Sequence, residues 1–236
     1  MPWQRWTAYV LAAIAAGTAA LACSWSLTWL GTAAVLPLAV GVLILLPVVA
    51  LGVLVATRRP GNPVGLLLVA AGAIPMSIVV LEWVFGQIWT VAPEALPRWG
   101  TLVVAADQGS WMWLYVPGAL LMLLFPDGHL PSPRWRWVAA GLVAVPVVFG
   151  VLTALGPGAF QPPFEGLDRG GIPSLPGWVR GVSIVLLPVF LGLLVASAAS
   201  MIVRRRRSTD PVLRAQVRWF ALGAIFLPVA LLLCWL

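Results

Sequence analysis

Long apolar runs, separated by short clusters of arginine, proline and glycine, make up most of the chain. A helix crosses the hydrocarbon core of a bilayer with about 20 apolar residues. On that rule the pattern predicts spans over 7–30, 33–56, 64–85, 101–125, 137–155, 181–203 and 219–236. The expected fold class is therefore all-α: a polytopic membrane helical bundle of about seven transmembrane helices, one domain over residues 1–236. Only Gly31 and Thr32 separate the first two spans, which makes that connection a tight hairpin at one surface.

The spans leave 57–63, 126–136 and 204–218 as loops on the N-terminal side, and 156–180 as the main loop on the other. With the N-terminus inside, the inner segments hold Arg5, Arg58, Arg59, Arg134, Arg136, Arg204, Arg205, Arg206, Arg207, Arg214 and Arg218. The outer segments hold only Arg98, Arg169 and Arg180. That asymmetry is what the positive-inside rule demands. A cytoplasmic N-terminus is expected, in a multi-pass protein of the plasma (cytoplasmic) membrane.

Composition excludes a water-soluble globular enzyme. Hydrophobic residues make up 61% of the chain and charged residues 9%, with a mean hydropathy of +1.01. A soluble domain carries about a quarter charged residues. Lysine is absent, and all 14 basic residues are arginine against 7 acids, for a net charge of +7. In a soluble protein such an excess points to nucleic acid. Here most residues belong in lipid, so the expected partner is the bilayer and no nucleic acid. Cys23 and Cys234 both lie inside apolar runs and imply no disulfide framework. With one histidine and no Cys/His cluster, neither a metal site nor a cofactor is expected.

Tryptophan marks the same borders. Trp3, Trp6, Trp29, Trp83, Trp89, Trp99, Trp135, Trp137, Trp178 and Trp219 fall at or near span ends, where the amphipathic ring favours the headgroup layer. Trp25, Trp111, Trp113 and Trp235 lie further in. An interfacial belt is the expected role, ahead of an aromatic ligand cage. Arg5 before an apolar run ending Ala20-Leu21-Ala22-Cys23 has the outline of a lipoprotein signal. The leucine is one position late and the run continues beyond Cys23, so a retained first span is expected. Pro37, Pro47, Pro75, Pro117, Pro146, Pro188 and Pro228 place a kink in most spans.

The loops carry turn chemistry. In Arg58-Arg59-Pro60-Gly61-Asn62-Pro63-Val64-Gly65, two arginines stop a span, a sharp turn follows, and Pro63 starts the next helix. In Phe125-Pro126-Asp127-Gly128-His129-Leu130-Pro131-Ser132-Pro133-Arg134-Trp135-Arg136, Pro-Asp-Gly sets a turn with positive φ at Gly128. His129 is expected to be a solvated or capping side chain there. Arg204, Arg205, Arg206 and Arg207 are candidate lipid-headgroup contacts, each contributing about 1 kcal/mol near an anionic leaflet. A plain stop-transfer anchor is the simpler reading of the same run. Asp210 and Pro211 predict the start of a helix on which Arg214 and Arg218 share a face.

These three loops, in this order and over nearly the whole chain, resemble the membrane (sensor) region of actinobacterial sensor histidine kinases of two-component systems. In that family paired arginine, Pro-Gly-Asn-Pro and Gly open the third span, and a Phe-Pro-Asp-Gly-x-Leu-Pro-Ser-x-x-Trp stretch follows the fourth. An Arg-Gln-Gln-Leu-Arg-Trp-like segment opens the seventh, matched by Arg214-Ala215-Gln216-Val217-Arg218-Trp219 with alanine where glutamine is common. The resemblance implies a homodimer, and a response regulator as partner if a kinase domain follows. Such kinases continue into an eighth span, a histidine-bearing dimerisation helix and an ATP-binding domain, and none of these lies within the 236 residues. A kinase truncated before its catalytic domain is favoured over a free-standing module.

Two acids lie inside spans: Glu82 at the outer end of the third, and Asp107 about two turns into the fourth. Carboxylates within a bilayer usually face protein or water. Asp107, with Gln108 and Ser110, is the most polar patch in any span and a candidate sensing site for a small polar or cationic signal or for external pH. The plainer alternative is a hydrated carboxylate at the interface. The 156–180 loop holds Phe160, Phe164, Glu165 and Asp168 and is too short and turn-rich for a folded sensing domain. The leading functional expectation is a signal-input module. The alternative is a small multi-pass transporter or permease-like protein, which requires a polar path that only Asp107 and its neighbours offer. An embedded enzyme fits least, because one histidine and 7 acids assemble no catalytic set and no catalytic residue is assigned.

The topology has a direct test. A single cysteine at position 165 should react with an impermeant thiol reagent in intact cells, and one at position 208 only after permeabilisation. The reverse labelling would overturn the orientation.

Overall fold

The computed structural model describes residues 2–29, 32–59, 61–97 and 99–207, together with Val229 and Leu233. The described residues are mostly helical, with turns and loops between the helices and no strand among them. The α-helices are α1 (Pro2–Trp29), α2 (Thr32–Arg58), α3 (Val64–Val91), α4 (Gly100–Asp107), α5 (Val116–Leu124), α6 (Trp135–Ala154) and α7 (Val179–Arg207). Short 3-10 turns cover Pro93–Ala95 and Ser110–Leu114. The expected seventh span, 219–236, and the loop residues 208–218 lie outside the described residues, apart from Val229 and Leu233.

Five of these helices are long and apolar enough to cross a membrane: Trp3–Thr28, Leu38–Arg58, Val64–Val91, Trp135–Ala154 and Val179–Arg206. At 1.5 Å per residue, a helix of about 20 residues matches a hydrocarbon core of about 30 Å. Their outward faces are apolar as well. Leu21, Leu43 and Val185 stand 71%, 74% and 61% exposed, a surface that suits lipid tails and not water. These helices suggest a membrane protein in a bilayer environment. Trp3, Trp6, Trp99, Trp137 and Trp178 stand exposed at or beside helix ends, as an interfacial belt requires. Trp111 instead packs inward, edge-on to Phe149 at 5.7 Å and to Tyr115 at 6.4 Å, and is part of the core.

Two sub-bundles make up the fold. In the first, α1, α2 and α3 pack through small residues. Ala8, Ala15, Ala19, Ala22 and Ser26 form one buried stripe along α1, where the absence of bulk lets helices approach closely. The α2–α3 hairpin is tighter still. A Cβ on Gly52 would lie 2.4 Å from the Val69 nitrogen, and one on Gly65 would lie 2.4 Å from the Ala56 nitrogen. Trp83 Nε1 donates to the buried Ser26 hydroxyl at 3.2 Å, tying α3 back to α1. In the second sub-bundle, α5, α6 and α7 bury Met112, Val116, Ala119, Leu123, Leu142, Phe149, Phe190 and Leu194.

The fourth apolar segment, expected as one helix over 101–125, is interrupted. Its α-helix stops at Asp107, a 3-10 turn covers Ser110–Leu114, and α5 begins at Val116. Pro117, expected to be the kink, sits in the first turn of α5, where its missing N–H costs nothing. The break occurs at Gln108–Gly109 for a tertiary reason. A Cβ on Gly109 would lie 2.5 Å from Thr153 Oγ1 and 2.7 Å from Gly150 Cα, so α6 presses directly on the backbone there.

Glycine packing should dominate stability in the first sub-bundle. Gly52→Ala and Gly65→Ala should each destabilise the protein by about 1–3 kcal/mol through overpacking, lowering Tm by about 2–4 °C per kcal/mol at this size. Gly17→Ala and Gly41→Ala, which meet nothing within 4 Å, should hold or raise Tm. Thermal unfolding of the four variants in one neutral detergent checks the contrast.

Candidate functional site

At the end of the bundle where α2 stops and α3 starts, two loop stretches converge with Gln4 of α1 and Arg204 of α7 into one polar knot. Gly61 has a φ of +106°, and its N–H donates to Gln4 Oε1 at 2.6 Å. Asn62 Oδ1 accepts from the Val64 N–H at 3.0 Å, while its amide Nδ2 reaches across to the Pro126 carbonyl at 3.1 Å. Gly128, at φ +78°, lies against Asn62 so closely that a Cβ would stand 2.7 Å from Asn62 Oδ1. Asp127 Oδ1 accepts from the His129 N–H at 3.2 Å, so the aspartate, not the imidazole, organises this turn.

Arg204 completes the knot. Its Nη1 pairs with Asp127 Oδ1 at 3.1 Å, and its Nη2 donates to the Leu123 carbonyl at 2.7 Å and to the His129 carbonyl. A helix end leaves its last four carbonyls without intrahelical partners, and at α5 all four are taken. Phe125 N–H donates to Leu121, the Ser200 hydroxyl to Met122, Arg204 to Leu123 and Gly128 N–H to Leu124. Two of those donors come from α7, one turn apart. The expectation of four equivalent headgroup arginines therefore does not describe Arg204, whose side chain is only 12% exposed and faces protein. Arg205 and Arg206 are exposed, as a headgroup contact requires, and the side chain of Arg207 lies outside the description.

The opposite end carries a second polar assembly, built around the break in the fourth segment. Gln108 bridges it: Nε2 donates to the Val104 carbonyl at 3.3 Å and Oε1 accepts from the Gln161 N–H at 2.7 Å. The 156–180 loop is thereby tied to the membrane segment, and its Phe160 and Phe164 are buried with Phe85, Val104 and Ala105. Arg169 caps α6 in the way Arg204 caps α5. Nη2 donates to the Ala154 carbonyl at 2.6 Å and Nη1 to Gly158 at 3.0 Å, with the guanidinium 4.9 Å from the Phe160 ring centre. A cavity of about 320 Å³ opens among Gln108, Thr153, Gln161, Arg169, Arg180 and Ser183.

The structure splits the polar patch Asp107-Gln108-Ser110 between two faces. Gln108 lines the cavity just described, whereas Asp107 faces a largely apolar groove between α3 and α4 and accepts a hydrogen bond from the Ser110 hydroxyl. Glu82, exposed on α3, lines a separate groove with Gln87, Thr90 and Pro163. The two carboxylates are near enough for their charges to interact, yet they converge on no common cavity. Nothing in the sequence pattern alone marks Gln161, Arg169 and Arg180 as parts of one site. The available signal is that two of the three arginines opposite the arginine-rich end lie within the 156–180 segment, the longest loop there. No group of three or more His, Cys, Asp or Glu side chains suited to a metal occurs among the described residues.

Breaking the α5 cap should separate Arg204 from its neighbours. Arg204→Gln should cost about 2–4 kcal/mol, because it strands Asp127, the helix-end carbonyl of Leu123 and the loop carbonyl of His129. Arg205→Gln and Arg206→Gln should cost less than about 0.5 kcal/mol. Gly128→Ala should resemble Arg204→Gln, since it combines positive φ with a collision at Asn62. Detergent melting curves for the four variants test the ordering.

No family model, no curated protein and no solved structure matches this chain.

Proposed function

We propose that the chain is a membrane-embedded signal-input module of the kind that precedes a sensor histidine kinase core. In this reading it crosses the cytoplasmic membrane about seven times with its N-terminus in the cytoplasm. It acts as a homodimer, and its output passes through a kinase domain to a response regulator. The observation that carries the reading is the interrupted fourth segment. One end is held to the 156–180 loop by the Gln108–Gln161 bond at 2.7 Å. The other is clamped by Ser200 and Arg204 of α7 next to the Asn62 turn. A cue that favours one arrangement of the break over another therefore has a mechanical route to the loops that carry the family resemblance. It can shift that equilibrium only by its differential affinity for the two arrangements. Asp107, half-buried at the last residue of α4, sits at the same break and is the acid best placed to bias it.

The test uses a full-length protein in which this region precedes a histidine kinase core. Gln108→Ala, which cuts the tether to the loop, should change autophosphorylation at least about threefold at equal expression. Asp107→Asn, which keeps size and hydrogen bonding, should hold output at one level whatever the stimulus. Normal, stimulus-responsive phosphorylation in both variants would overturn the reading.

A further inference from the structure

The cavity of about 320 Å³ beside the break has a charge pattern that its own protein contacts leave uncompensated. Its lining includes Arg169 and Arg180 and no carboxylate. Arg169 is fixed in place by two neutral carbonyls and the Phe160 ring, which orient the guanidinium without cancelling its charge. A guanidinium has five N–H donors, and those two bonds leave three of them uncommitted. Arg180, exposed on the first turn of α7, makes no ion pair among the described residues. The only ion pair found there, Arg204–Asp127, lies at the far end of the bundle. Glu165 and Asp168 are exposed nearby in sequence, and neither comes within ion-pair distance of Arg169 or Arg180.

We propose that this cavity binds an oxyanion of phosphate type, with Arg169 as the prepositioned donor and Arg180 as the mobile one. Two guanidinium groups facing one small space match the several oxygens and the charge of a phosphate. Gln108 and Gln161 form the adjoining wall through their mutual bond, so an occupant touches the break directly. The ligand chemistry has two sources, a free phosphate solute or the phosphate of an anionic lipid headgroup. Binding stands independently of the signalling role, and its test needs no kinase.

The purified full chain is melted in neutral detergent at constant ionic strength, with inorganic phosphate replacing chloride, and separately in mixed micelles containing phosphatidylglycerol. Saturable stabilisation of about 3 °C is expected from one of the two probes at roughly ten times its Kd. It should persist in Arg206→Gln, which removes the same charge at the other end, and vanish in Arg180→Gln, whose exposed side chain supports no packing. Phosphate alone acting identifies a solute site, and phosphatidylglycerol alone acting identifies a headgroup site. Arg169→Gln should also abolish the effect, but it removes the α6 cap, so Arg180→Gln decides the matter if that variant does not fold. No stabilisation by either probe, or equal stabilisation in Arg180→Gln, overturns the proposal.

Discussion

An apolar environment offers no water to a free peptide group, so every carbonyl and N–H released by an interrupted helix must find a partner within the protein. The fourth segment of this chain ends a helix at Asp107 and again at Leu124, and its surroundings follow from that demand. At the first end, Gln108 returns its backbone N–H to Ala105 and its side-chain amide to Val104. At the second, α7 supplies Ser200 and Arg204 to the carbonyls that the chain's own turn leaves open. The same need recurs at the end of α6, where Arg169 takes the Ala154 carbonyl. Two arginines that look like ordinary charges at a membrane boundary thus serve as helix caps.

Close helix packing meets a related demand. Lipid tails are as apolar as leucine, so burying leucine gains little inside a bilayer, and contact depends on how near two backbones can come. The first sub-bundle uses alanine and glycine at its seams and sends leucine, isoleucine and valine outward. The second uses larger side chains and an aromatic chain, Trp111, Phe149, Tyr115 and Phe190, set edge to face. The difference places the tightly interlocked part of the molecule in α1 to α3. The irregular part, with its break, its long loop and its polar cavity, lies alongside.

The two polar assemblies sit at opposite ends of that segment and differ in what they leave unsatisfied. At the Asn62 end, Arg204 has a carboxylate partner and the turn residues bond to one another. At the Gln108 end, Arg169 has only neutral partners and Arg180 has no ion pair among the described residues. A saturated assembly holds geometry, whereas an assembly with uncompensated charge can accept a ligand. That contrast is the basis for the oxyanion site proposed at the Gln108 end.

Helical class, the sites of the long α-helices and the turns at Gly61 and Gly128 follow from local sequence, because runs of about 20 apolar residues and Pro-Asp-Gly chemistry act over a few neighbouring positions. Tertiary structure alone decided where the fourth segment breaks. Local rules favoured Pro117, but the break lies at Gly109, where α6 approaches to within the distance of a Cβ. It also decided which arginine of the 204–207 run turns inward. Four identical side chains in a row carry no local difference, yet of the three whose side chains are described, Arg204, on the helix face of Ser197 and Ser200, meets the free end of α5 while Arg205 and Arg206 stand exposed. The polar triplet at 107–110 was legible as polar, but its division between two grooves was not. Which way each side chain faces depends on what packs beside it, and that neighbour comes from another part of the chain: Gln161 for Gln108, Ile78 and Leu81 of α3 for Asp107.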